Sequence, residues 1–162
     1  MKKINLKKEK GFTLIELLVV VAIIGLLASI TLGYLSNAKK RGEETAVKSN
    51  LATTRAAIEI FYLNNNSTYL PTGDIAVSGV CPLVYNASGT NMFSRNKDVV
   101  NSIAEAVSRG RNGSYCYNSR DIWSVAVGVT PSTSWCVDVT GAARLVNGIP
   151  SLVINSTTHL CN

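Results

Sequence analysis

The chain has 162 residues, 46% of them hydrophobic and 16% charged, with a formal net charge of +6. That length suits one compact domain plus an appendage. Lys2, Lys3, Lys7, Lys8 and Lys10 stand against Glu9 in residues 1–11, while the other 11 basic and 9 acidic residues nearly cancel. A basic flank that orients a membrane segment therefore fits better than a nucleic-acid-binding surface.

Residues 12–35, FTLIELLVVVAIIGLLASITLGYL, are 24 residues with one formal charge, Glu16. A helix of this length covers ~36 Å, enough to cross the hydrocarbon layer of a bilayer. The segment is too long for the apolar part of a cleaved signal peptide, and no small-residue cleavage site follows it. A plain anchor fits the length and the positive flank, which keeps the N-terminus cytoplasmic and sends the rest outward. It leaves Glu16 unexplained, because a carboxylate in such a segment is costly unless it has a function and a partner.

The string Gly11-Phe12-Thr13-Leu14-Ile15-Glu16, after a short basic leader and before an apolar helix, resembles the processing site of type IV pilins and pseudopilins. The resemblance is strong over residues 1 to about 63 and architectural beyond. It implies that a prepilin peptidase/methyltransferase removes the leader, residues 1–11, by cutting between Gly11 and Phe12, and methylates the new amine of Phe12. Glycine lets the backbone lie close to a protease's catalytic groups. It further implies a single-pass inner-membrane precursor with its head outside, then addition through an assembly platform to a filament of like subunits at the cell surface. Glu16 lies one turn from the Phe12 amine and can pair with it within one molecule. It can also pair with the amine of a neighbouring copy, the assembly role that the family favours.

Beyond residue 35 the character changes. Val47, Leu51, Ile58 and Phe61 recur at helical spacing, Lys48 and Arg55 lie off that stripe, and Glu44 with Lys48 forms a favourable i, i+4 pair. The pattern predicts one helix over residues 12–63. Its first part, residues 12–35, is apolar all round and lives in lipid or in a filament core; residues 36–63 form an amphipathic part that covers a domain. Gly25, Gly33 and Gly42 interrupt it, either for close packing of membrane helices or as weak points. Relatives often carry proline where this chain has Gly33, and residues 25–33 are the segment expected to loosen in a filament. Lys39, Lys40 and Arg41 are read as a solvated surface, with lipid headgroups or acidic neighbours as the alternative.

Residues 64–162 read as an exported head. NNNST at 64–68 ends the helix, and residues 74–96 read as irregular chain. Residues 97–108 form a short amphipathic helix ended by Gly110. From Ser114 the period falls to two, with strands over 122–129, 134–140, 143–146 and 151–154, making a small antiparallel sheet on the stripe of the long helix. Trp123 and Trp135 are read as core or edge packing. Asp74, Asp98, Asp121 and Asp138 are read as turn or surface residues.

Cys81, Cys116, Cys136 and Cys161 all lie in the exported part, without paired metal-ligand spacing. An even count beyond a membrane segment argues for two disulfides among three possible connectivities, of which we favour Cys81–Cys116 and Cys136–Cys161. Sequons at Asn65, Asn66, Asn86, Asn112 and Asn155 are read as loop residues. The lone His159 has no nucleophile arranged with it, so no enzyme, cofactor or metal is expected. Arg95, Lys97, Arg109, Arg111 and Arg120 leave DNA binding possible but unsupported.

The expected fold is α+β and pilin-like: a long N-terminal helix with its apolar half protruding, its amphipathic half on a small antiparallel sheet, and a disulfide-stapled C-terminal region. The expected function is a filament subunit for adhesion, twitching motility or DNA uptake. A pseudopilin of a type II secretion system is the alternative, and a membrane-anchored binding domain that never polymerises is the reading from another class. Major pseudopilins often bind calcium through acidic loops near the C-terminus. Residues 139–162 hold no Asp or Glu, which favours a pilin.

Overall fold

The computed structural model describes residues 11–162; the basic segment expected to be a leader lies, but for Gly11, outside the described residues. Helix α1 spans Leu14–Asn64 and continues through Gly25, Gly33 and Gly42. The chain divides into two compact units between Lys40 and Arg41.

In the first unit, every residue from Gly11 to Lys40 is exposed, including Leu14, Ile24 and Leu35. Among the described residues, α1 is the helix long and apolar enough to cross a membrane.

The second unit is built on the amphipathic part of α1. Val47, Leu51, Ile58 and Phe61 are buried as the stripe predicts, joined by Thr54 and Ala57. Thr54 Oγ1 donates to Asn50 O and to Ser102 Oγ at 2.8 Å, so the stripe's one hydroxyl is satisfied inside the core. Ser102 belongs to α3, Lys97–Arg109, whose N-cap Asn96 accepts from the amides of Asp98 and Val99 and which ends at Gly110.

The sheet is antiparallel, in the order β1-β2-β3-β4-β5: Ser78–Gly79, Ser114–Asn118, Trp123–Thr130, Thr133–Asp138 and Ala143–Asn147. Its central strand β3 is buried from Trp123 to Gly128 because both faces are covered. Trp123, Val125 and Val127 join the cluster around α1 and α3. Ala126 faces Cys136, Val153, Ile154 and Cys161. Trp123 is core; Trp135 is half-buried, with Lys48 Nζ 4.7 Å from its ring centroid.

Several local expectations change. The segment at 74–96 holds β1 and a short helix α2, Met92–Arg95, which buries Met92 and Phe93. The strand β2 was not separately assigned: its inward residues are Ser114, Cys116 and Asn118, so its period of two is not a period of hydrophobicity. The strand expected at 151–154 is a helical turn α4, Pro150–Val153, with Pro150 at its start, where a fixed φ favours the helix. Ile154 alone bridges Cys161. β4 stops at Asp138 because its carboxylate accepts from the amide and hydroxyl of Thr140, and Gly141 then turns at φ +97.

Asp138 is also not a surface residue. It is buried, and its other oxygen accepts the Cys161 amide at 2.8 Å. Asp74 has a buried side chain paired with Arg95 at 3.0 Å. Burial raises its pKa while the Arg95 charge opposes the shift.

The structure joins Cys81 to Cys116 (S–S 2.07 Å) and Cys136 to Cys161 (S–S 2.00 Å). The first ties the loop after β1 to β2, the second the tail to β4.

Candidate functional site

The start of α1 is built by its own sequence. Residues 11–13 have no regular structure and Leu14 begins the helix. Thr13 therefore stands at the N-cap and Glu16 at the third helical position, the spacing of a capping box. Both halves of the box form: Thr13 Oγ1 accepts the Glu16 amide at 3.3 Å, and Glu16 Oε2 accepts the Thr13 amide at 2.9 Å. The Thr13 hydroxyl adds a 2.7 Å bond to the same oxygen. The T-x-x-E spacing signals this in the sequence, and reading Glu16 only as a charge misses it.

Glu16 is exposed in a shallow apolar depression formed by Phe12, Ile15, Val19 and Val20. Phe12 is itself 81% exposed. While Gly11 is attached, the Phe12 nitrogen is an amide and offers no cation. The hydrogen bonds to Glu16 therefore come from Thr13.

The second half of α1 has an unusual outer face. Thr45, Ser49, Ala52, Thr53, Ala56, Ile60 and Leu63 are exposed, and none is charged. The charged residues of this stretch turn towards the head or pair along the helix. Glu44 pairs with Lys48 at 2.5 Å and Glu43 with Arg111 at 3.4 Å. Arg55 donates to Gly141 O at 3.1 Å, and Glu59 accepts from Trp123 Nε1 at 3.2 Å and from the Tyr69 hydroxyl. An ordinary solvated helix carries its charges outward. This one keeps an uncharged ridge that can pack closely against another helix.

The basic residues weighed for DNA do not form one cluster of free cations. Arg95 is engaged by Asp74, Arg109 by Glu105 and Arg111 by Glu43. His159 stacks on Tyr117, ring centroids 3.8 Å apart. Among the described residues there is no group of three or more His, Cys, Asp or Glu able to hold a metal ion.

The pattern of residues 6–32 matches the family model of the prokaryotic N-terminal methylation motif, which includes Gly11, Phe12 and Glu16. The chain is 42% identical over 62 residues to the type IV wide pilus major component of Thermus thermophilus, covering 38% of this chain and 47% of that protein. It is 32% identical over 105 residues to a fimbrial protein of Eikenella corrodens, covering 65% of this chain and 62% of the relative. It is 33% identical over 61 residues to the type II secretion system core protein G of Klebsiella pneumoniae, covering 38% and 44%. The matches thus span about half of each relative's length. No solved structure matches the chain. A methylation motif, a long helix with an apolar first half and an antiparallel sheet stapled by two disulfides define the type IV pilin-like class of protein. The chain carries the methylation motif of type IV pilins and pseudopilins and is similar to relatives of both kinds.

Proposed function

We propose that this chain is the structural subunit of a type IV pilus. It is made as a single-pass membrane precursor, cut between Gly11 and Phe12, methylated at Phe12 and polymerised through α1. The observation that carries the reading is a lone carboxylate, Glu16, on an otherwise uncharged, exposed helix at 14–35. Such a helix needs lipid or other copies around it, and an acid inside either needs a cation. Cleavage supplies one: the amine of Phe12 forms at the edge of the apolar layer. In a filament, Glu16 of an incoming copy pairs with the amine of a copy already in place, and a subunit at the wrong height leaves both charges unpaired. The uncharged outer ridge of α1 from Thr45 to Leu63 supports this by offering further helix-packing surface.

The pseudopilin reading shares all of this chemistry, and relatives of both kinds match. The absence of acids from residues 139–162 favours the pilin. Mass spectrometry of sheared surface fibres, with electron microscopy, tests the proposal. The expected result is long fibres whose subunit begins at methylated Phe12. Confinement to short periplasmic fibres would favour the pseudopilin, and an uncut, strictly monomeric membrane protein would sink both.

A further inference from the structure

The turn that follows α1 builds a second feature, distinct from the helix start. A cleft of about 480 Å³ is lined by Asn64, Asn66, Ser67, Thr72 and Arg120, with Leu70 and Pro71 as an apolar wall. Its two sides are fastened together: Thr68 Oγ1 and the Tyr69 amide both donate to Arg120 O, at 3.1 and 3.0 Å. Asn66 and Ser67 both hold φ +55, a left-handed conformation unusual for side chains other than glycine. Asn65 fastens this turn to α1 through Phe61 O at 2.7 Å. The polar side chains around the cleft are thus displayed on a braced loop.

Arg120 is exposed and, like Arg41, has an unbonded guanidinium, unlike the other described arginines. Arg55, Arg95, Arg109, Arg111 and Arg144 each bond a carbonyl or a carboxylate. Among the described residues the Arg120 guanidinium has no such bond, and the neighbouring Asp121 forms no ion pair with it. Of the sequon asparagines, Asn65, Asn86, Asn112 and Asn155 all bond the backbone through their side chains, whereas the Asn66 amide does not.

We propose that this cleft binds a carboxylate-bearing saccharide through Arg120. The guanidinium fork matches a carboxylate in two parallel hydrogen bonds. Amides and hydroxyls both donate and accept, as the many hydroxyls of a sugar do, whereas a phosphate offers mainly acceptors. The cleft also sits at the C-terminal end of α1, whose partial negative charge opposes a dianion and leaves a monoanion with many hydroxyls the better fit. Leu70 and Pro71 supply a surface for the C–H face of a pyranose. The site stands whether or not the chain polymerises.

The test is titration of the full chain in detergent micelles, followed by saturation-transfer NMR, with 3′-sialyllactose and glucuronate against lactose and glucose. Saturable binding of the acidic sugars alone is expected. Arg120→Gln should weaken it about tenfold or more, the scale of losing a charge-assisted bidentate contact. Arg109→Gln, a paired surface arginine elsewhere, should leave it unchanged, and near-UV circular dichroism should be native for both variants. Equal binding of lactose, no binding of either acidic sugar, or unchanged binding by Arg120→Gln would overturn the proposal. Displacement by inorganic phosphate as readily as by glucuronate would also reject the sugar assignment.

Discussion

Glu16 closes the capping box and, under the proposed function, also supplies an assembly charge; its chemistry allows the two parts to be separated. As a capping-box partner it needs only an acceptor oxygen; as an assembly charge it needs an anion. Glu16→Gln keeps the acceptor and removes the charge. It should insert in the membrane and lose its leader normally yet polymerise poorly, as read by fibre yield and by subunit mass. Glu16→Val removes both parts, with the same expected loss of fibres. Thr13→Val removes the cap at about 1 kcal/mol of local helix stability and should still form fibres. Normal fibres from Glu16→Gln together with none from Thr13→Val would assign Glu16 to capping.

Tyr69 carries a pH prediction. Burial, reinforced by the charge of Glu59 and their hydrogen bond, raises the phenol to about 12. An unfolded tyrosine titrates near 10, so this contribution is present in full below about pH 10 and is lost as pH rises towards 12. Two units correspond to about 2–3 kcal/mol at most. Urea unfolding at rising alkaline pH should show stability falling in that window, and Tyr69→Phe should flatten the fall.

At the scale of the element, α1 has two working faces with different predictions. Leu51 is fully buried, so Leu51→Ala should destabilise the head by about 2–5 kcal/mol in chemical denaturation. Ala56 lies on the uncharged outer ridge. Ala56→Lys should change head stability by no more than about 0.5 kcal/mol while reducing fibre formation. Unimpaired fibres would remove the ridge from the packing surface. The inward stripe was legible because each of its residues is apolar at helical spacing. The outer ridge was not, because the sequence shows where Glu43, Arg55 and Glu59 occur but not that Arg111, Gly141 and Trp123 are waiting for them. β2 escaped for a related reason. Its buried positions are a serine, a cysteine and an asparagine, and two of them are settled by partners far along the chain: Cys116 is bonded to Cys81, and Asn118 donates to Tyr69 O and accepts the Val77 amide. The turn at α4 differs from the expected strand because the three apolar residues Leu152, Val153 and Ile154 fit strand and helix equally, and Pro150 decides the matter locally.

For the whole molecule, the tail from 155 to 162 is held by more than its disulfide. Asp138 accepts the Cys161 amide and Arg144 donates to Cys161 O at 2.5 Å. Replacing Cys136 and Cys161 together by serine should lower stability by about 3 kcal/mol in the chain-entropy picture. Hydrogen exchange should then show faster opening at the tail than in β3, since Asp138 still anchors it but no covalent tie closes the loop. Equal protection with and without the bridge would mean that the polar anchors suffice.

The sequence by itself determined the match to the methylation motif that includes Gly11, Phe12 and Glu16, the apolar length of α1 and the stripe from Val47 to Phe61. Each is a local pattern whose meaning depends on spacing along one helix or on residues in direct succession. Only the tertiary structure decided that Asp138 is an interior anchor, that the charges of α1 turn away from its outer ridge and that Arg120 meets the Asn66 turn in a cleft. Those outcomes depend on partners 23 to 86 residues away, such as Cys161 for Asp138 and Gly141 for Arg55. Burial and pairing are properties of a folded neighbourhood, and no window along the chain contains both members of such a pair.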